Sequence, residues 1–125
     1  MKLHLDNAHG EFRIGGYSAG GIVVNDVTYE GALVVRTTHP PQPWTIDNAS
    51  SLAREHFADL LALRPEVLLL GTGDAQHFPP VEIMSAFYEQ HIGFEVMDSR
   101  AACRTFNILA SEGRTVVAAL LPVSS

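Results

Sequence analysis

Eight basic residues against fourteen acidic ones give this 125-residue chain a formal charge of −6. It therefore has no basic surface to release counterions from a phosphate backbone, and nucleic acid is excluded as a partner. Its 46% hydrophobic content is that of a globular chain rather than a disordered one. A single cysteine, Cys103, excludes an intramolecular disulfide and a cysteine zinc site.

The length predicts one domain over residues 1–125, large enough to bury roughly two thirds of the surface its unfolded form exposes. Its longest apolar runs, Val67 to Leu70 and Val116 to Leu121, fall far below the roughly 20 residues that a membrane span requires. The opening Met1-Lys2-Leu3-His4-Leu5-Asp6 has neither the apolar core of a secretory signal nor the Arg-rich, acid-poor character of a mitochondrial presequence. The expectation is a cytoplasmic protein of a bacterium or archaeon.

Residues 11 to 46 are rich in glycine and β-branched side chains and read as antiparallel strands. Ile22-Val23-Val24, Asn25-Asp26 and Val27-Thr28-Tyr29 make a hairpin, because Asn and Asp tolerate the left-handed backbone of a two-residue turn. A further strand, Ala32 to Arg36, runs into a stretch with prolines at 40, 41 and 43, which forbid regular pairing. The spacing of Pro40 and Pro43 would suit a proline-reading module; the reading adopted is a rigid surface connection that lays Trp44 onto the core.

From Leu52 the apolar period becomes 3.6, with Ala53, Phe57, Leu60 and Leu61 on one face, which predicts a one-sided helix capped by Ser50 or Ser51. His56 sits at the edge of that stripe without a metal-spaced companion and reads as structural. Val67-Leu68-Leu69-Leu70 has no alternation and predicts a strand buried on both faces, in the middle of a sheet. The turn Gly71-Thr72-Gly73 follows. Gln76 stands where a dinucleotide fingerprint needs its third glycine, and Pro79-Pro80 delay the helix, so the turn reads as close backbone packing.

A helix begins at Pro79-Pro80 and runs to about His91, with Ile83, Met84, Phe87 and His91 on its buried arc and Gly93 as its stop. Phe94 to Met97 is the next strand, Asp98 caps a third helix, Gly113 ends it, and Val116 to Leu121 closes the chain as a final strand. The expected fold is a layered α/β domain with a mixed central sheet, N-terminal antiparallel strands and C-terminal strand-helix-strand units. Whether the N-terminal strands extend the sheet or form a second layer is left open.

This order sets Gly71-Thr72-Gly73 and Asp98-Ser99 at the carboxyl ends of strands, where open α/β sheets tend to bind ligands. Cys103 shares an arc with Ala102, Phe106, Leu109 and Ala110 and reads as a small buried hydrophobe rather than a nucleophile. Arg100, Arg104, Asn107 and Ser111 form one polar stripe, with Ile108 beside it outside the core arc. A second surface, from this domain or a partner protein, is expected to cover that helix. Were the stripe to face the rim beside Gly73, Arg104 would hold an anion near the helix N-terminus. No catalytic set, metal site or cofactor site emerges from the residues.

Leu70-Gly71-Thr72-Gly73, the run Gly93 to Leu109, and Glu112-Gly113-Arg114 together carry a resemblance over the whole chain, with Trp44 also fitting. The chain resembles a small family of single-domain proteins that includes the mitochondrial respiratory complex I assembly factor 3 and the adipogenesis-associated single-domain protein. The resemblance implies a layered α/β fold with no established catalytic residue, and, for the mitochondrial members, a helper role in assembling the membrane-bound NADH dehydrogenase through protein contacts. Gly71, Thr72, Gly73, Asp98, Arg104, Asn107, Glu112 and Arg114 match the family motif and, with Arg100 of the stripe, make a candidate pocket or partner surface. Ser99 and Phe106 depart from the threonine and tyrosine expected there, which weakens a need for any particular hydroxyl. The expected function is a non-catalytic, assembly-factor-like protein-binding domain with respiratory-complex subunits as partners. The alternative is a small-ligand or anion-binding protein, or an enzyme, using the crevice at Gly71 to Gly73 and Asp98.

Overall fold

The strands fall into two sheets, one of them mixed and central. The computed structural model describes residues 11–18, 20–46 and 49–124; the N-terminal stretch considered above for targeting lies outside them. Strands β1 (Ile14–Ser18), β2 (Gly21–Val24) and β3 (Val27–Glu30) form an antiparallel three-stranded sheet. The predicted hairpin joins β2 to β3 with Val24 opposite Val27, and its two turn residues, Asn25 and Asp26, lie at φ 47° and 71°. Both side chains tolerate that left-handed backbone, which matches the twist of the flanking strands.

The second sheet holds β4 (Leu33–Arg36), β5 (Gln42–Pro43), β6 (Val67–Thr72), β7 (Gly93–Met97) and β8 (Val116–Leu121) in the order β5-β4-β8-β6-β7. β6 runs parallel to both β7 and β8, while β4 is antiparallel to β8, so the sheet is mixed as expected. The N-terminal strands do both things left open: β4 and β5 extend the central sheet, and β1 to β3 form a sheet of their own. At the β7 edge the outward carbonyls of Phe94 and Val96 accept from Tyr88 Oη (3.2 Å) and Gln76 Nε2 (3.0 Å), which blunts a pairing-competent edge.

Every residue of β6 is buried, and its alternation feeds two cores. Leu68 and Leu70 join Trp44, Phe57, Phe87 and Phe94 on one face; Val67 and Leu69 join Ala102, Cys103, Phe106 and the inner side chains of β1 and β2 on the other. The first core is aromatic, with Phe87 and Phe94 packed edge to face at 5.0 Å and Trp44 against Phe57 at 5.5 Å.

The helices differ from expectation at two places. The helix expected from Leu52 is instead a 3₁₀ turn at Arg54–His56 followed by α1 (Ala58–Ala62). Trp44, reaching across twelve residues, donates its Nε1 to the His56 carbonyl at 2.9 Å, and His56 Nδ1 accepts from the Ala53 amide at 3.0 Å. Those bonds hold the turn apart from α1, whose cap falls at Phe57 rather than at Ser50 or Ser51. His56 is thereby structural.

The next helix, α2 (Val81–Glu89), buries Ile83 and Phe87, but His91 is exposed at φ 63° rather than on the buried arc. The Ile92 amide bonds the Phe87 carbonyl at 3.0 Å, so His91 occupies the left-handed position of the helix closure and Gly93 already belongs to β7. The closure of α3 (Ser99–Ser111) is the one expected, with Gly113 at φ 79°.

Two contacts seat α3. A Cβ at Gly71 would lie 2.9 Å from Leu120 Cδ2, 2.9 Å from Ser99 Oγ and 3.0 Å from Ser99 Cα. Further along, Asn107 Oδ1 accepts from the Ile14 amide (3.0 Å) while Nδ2 donates to the Ile14 carbonyl (2.7 Å), so one side-chain amide pairs β1 as a neighbouring strand would.

Gly71→Ala is expected to lower unfolding free energy by about 1–3 kcal/mol through overpacking, read as a lower urea midpoint. Gly16→Ala, where an added Cβ meets nothing within 4 Å, is the matched control and stays within about 0.5 kcal/mol of the parent. Asn107→Ala strands both backbone groups of Ile14 and is expected to cost about 1–3 kcal/mol, with the Ile14 amide losing its protection in hydrogen exchange while the amides of β6 keep theirs.

Candidate functional site

The residues singled out from the sequence separate into a sealed rim and an open face of α3. At the rim, Asp98 is extended at the helix entry and its carboxylate accepts from the Ala101 amide at 2.9 Å, the expected cap. Ser99, only 1% exposed, is the rivet: its amide donates to the Gly73 carbonyl (2.8 Å), its Oγ accepts from the Gly73 amide (2.8 Å) and donates to the Leu121 carbonyl (2.6 Å). Thr72 Oγ1 donates to the Ala75 carbonyl (2.6 Å) and accepts from the His77 amide (3.0 Å).

Gly71, Thr72, Gly73, Asp98 and Ser99 therefore do come together, and they do so by packing on one another. Between the glycine turn and α3 the space is filled by Ser99. A cleft of about 270 Å³ is lined by Thr72 and Gly73 of the turn together with Asp74, His77, Leu121 and Pro122.

Along α3 the polar stripe splits. Arg100 is drawn inward: Nη1 lies 3.4 Å from Asp74 Oδ1 and the guanidinium stands 5.4 Å from the Tyr17 ring centroid. The Asp74 carboxyl is held below its ordinary pKa by hydrogen bonding to Ser124, whose amide donates at 3.0 Å, and then by Arg100. Asn107 is spent on Ile14. Arg104 is exposed and, among the described residues, makes no hydrogen bond or ion pair.

Arg104 lines a cleft of about 230 Å³ with Gly15, Gly16, Tyr17, Cys103 and Asn107. Burial pushes the Cys103 thiol up to about 11, against the opposing pull of the nearby Arg104 charge. A thiol so rarely ionised is a poor nucleophile, which agrees with its reading as a core residue.

Glu112 and Arg114 are exposed just beyond the far end of α3. Thirteen helical residues rise roughly 20 Å, so the structure does not bring these two to the glycine turn. Among the described residues no group of three or more His, Cys, Asp or Glu stands in metal-binding proximity, and no helix is long and apolar enough to cross a membrane.

Sequence reasoning missed three residues of this region. Ser99 was read as weakening any need for a hydroxyl, yet its Oγ is bonded on both sides, as a donor and as an acceptor. Its place directly after a capping aspartate was the available signal. Asp74 and Tyr17 carry no local pattern that pairs them with Arg100.

Comparison with known proteins fits this picture. Residues 14–121 match the family described as a protein of unknown function, DUF498/DUF598. The chain is 33% identical over 101 residues to the "13 kDa major membrane protein" of Francisella tularensis subsp. holarctica, covering 80% of this chain and 82% of that one. It is 33% identical over 111 residues to NADH dehydrogenase [ubiquinone] 1 alpha subcomplex assembly factor 3 of Bos taurus, covering 87% of this chain but 60% of the relative's length. The crystal structure of a Bordetella parapertussis protein superposes with a TM-score of 0.85 at 36% identity, over 90% of this chain and 97% of that one. With the match to residues 14–121 spanning both sheets and the α-helices of the described residues, the chain belongs to the DUF498/DUF598 family.

Proposed function

We propose that this chain is a non-catalytic protein-binding domain that acts in the cytoplasm as an assembly factor does, holding a partner subunit through the outer face of α3. The observation that carries the reading is the state of that face. Arg104 is exposed and has no ion-pair partner among the described residues, and one turn further on Ile108 is 57% exposed. An arginine beside a large apolar side chain is the composition favoured at interface centres, where both lose their water together.

The relationship to assembly factor 3 supports the same direction and names a class of partner, the subunits of a respiratory NADH dehydrogenase. Assembly-factor relatives are longer than this chain, so the shared part is the domain and not the whole protein. The seating of Ser99 on Gly71 argues against a ligand between Gly71 and α3; the cleft lined by Thr72 and Gly73 is the space that the alternative, a ligand-binding reading, would use.

Tagged protein purified from its native cells is expected to bring down NADH dehydrogenase subunits. Arg104→Glu and Ile108→Glu are each expected to reduce that recovery at least about tenfold, the effect of losing one well-buried interface anchor, with circular dichroism unchanged because both side chains are exposed. Recovery of the same subunits by both variants at the parent level would sink the α3 surface; recovery of none by the parent would sink the assembly role.

A further inference from the structure

The cleft beside Arg104 exists because of a defect in β1. The register of β1 against β2 shifts between Ile14 and Gly16, so an extra residue is accommodated there. Ile14 stands opposite Val24 and Tyr17 opposite Ile22; Ile14, Val24 and Ile22 belong to the core that includes Cys103 and Phe106 of α3, and the partly buried Tyr17 packs against it. Gly16 stands opposite Val23, outside that core, and a Cβ at Gly15 would lie against the Val23 side chain at 3.6 Å. The inner face of β1 thus carries no side chain between Ile14 and Tyr17.

The gap falls at one level of the stripe on α3. One turn below, Asn107 closes onto Ile14; one turn above, Arg100 closes over Tyr17. At the middle level Arg104 meets bare glycine backbone, and its charge is near enough to act on the Cys103 thiol at the cleft floor. Among the described residues Arg104 is the one charged side chain lining this small cleft and has no ion-pair partner, on a protein whose net charge is −6.

We infer that this cleft seats the carboxylate of an acidic side chain presented by a partner protein, with Arg104 as the counter-ion and the Gly15-Gly16 backbone as the wall that lets it approach. This deepens the assembly reading, and rests on it for the source of the carboxylate. Charge decides the class of occupant. One guanidinium pairs with one carboxylate, bidentately where the approach is planar, whereas a polyanion requires several basic groups in register, and Arg104 is the one charged side chain among the residues lining the cleft. A cleft of about 230 Å³ holds a short carboxylic side chain and not a nucleotide.

The test is a titration of ¹⁵N-labelled protein at constant ionic strength with a Gly-Asp-Gly peptide blocked at both ends, its Gly-Asn-Gly counterpart, and sodium acetate. The expected result is saturable shifts at the Gly15 and Gly16 amides and the Arg104 side chain with the aspartyl peptide, at a dissociation constant on the order of 1–10 mM for so small a ligand. The asparaginyl peptide gives none, and Arg104→Gln weakens the aspartyl response by about tenfold or more. Equal shifts with the asparaginyl peptide, or shifts that survive Arg104→Gln, overturn the seat. Saturation by acetate alone, with no response to the aspartyl peptide, makes the cleft a free-anion site and overturns the protein-borne carboxylate. If the peptide binds as stated while the parent protein recovers no respiratory subunit, the assembly role fails and the carboxylate seat stands; the reverse pair of results removes the seat alone.

Discussion

The seating of α3 on the ends of β6 and β8 through Ser99 is the constraint on which the rest of the structure depends. Its one hydroxyl satisfies the Gly73 amide, just past the end of β6, and the Leu121 carbonyl at the end of the neighbouring β8, and its own amide returns to Gly73. Such an arrangement works only if the helix can come within contact of the strand backbone. Gly71 provides that closeness, since any side chain there would meet Ser99 and Leu120 at 3.0 Å or less. A buried hydroxyl with both roles filled costs nothing in unsatisfied polarity, so the rim is closed without strain.

Once α3 is fixed there, its length sets where the three-stranded sheet can lie. Asn107 sits two turns on from Arg100 and takes both backbone groups of Ile14. The magnitudes say which tie matters. Two partly buried hydrogen bonds contribute about 0.5–1.5 kcal/mol each, while the ion pair of Arg100 with the solvent-exposed Asp74 is screened by water and contributes little. Asn107 therefore docks β1, and the arginine pair trims the geometry near the rim. Arg104, between them, is left to face outward by the bulge in β1.

This division explains why a helix that is structural on three sides also offers a surface. Its inner arc, Ala102, Cys103, Phe106 and Ala110, is buried against β6, β8 and the small sheet. Its outer arc exposes Arg104 and Ile108 on an element held rigidly at both ends, so a partner meets them without first ordering them. The rim that a strand-end argument nominates is occupied by the protein's own serine.

Much of the architecture was legible in the residues because it rests on local preferences. The hairpin at Asn25-Asp26, the Asp98 cap, the Gly113 closure and the unbroken apolar run of β6 are each dictated by groups within a few residues of one another. The matching family motif drew attention to Asp98, Arg104 and Asn107, and not to the division of α3 into inner ties and outer face. What only the tertiary structure decided depends on partners distant in sequence. Trp44 reaches twelve residues to His56 and breaks an otherwise convincing helical period; Ser99 reaches Gly73 across 26 residues; Asn107 reaches Ile14 across 93. Periodicity records which face of an element is apolar and is silent about which distant backbone group a polar side chain will meet. For that reason Arg100, Arg104 and Asn107 read as one stripe in the sequence, and became two anchors and one outward-facing arginine only when β1 was laid beside them.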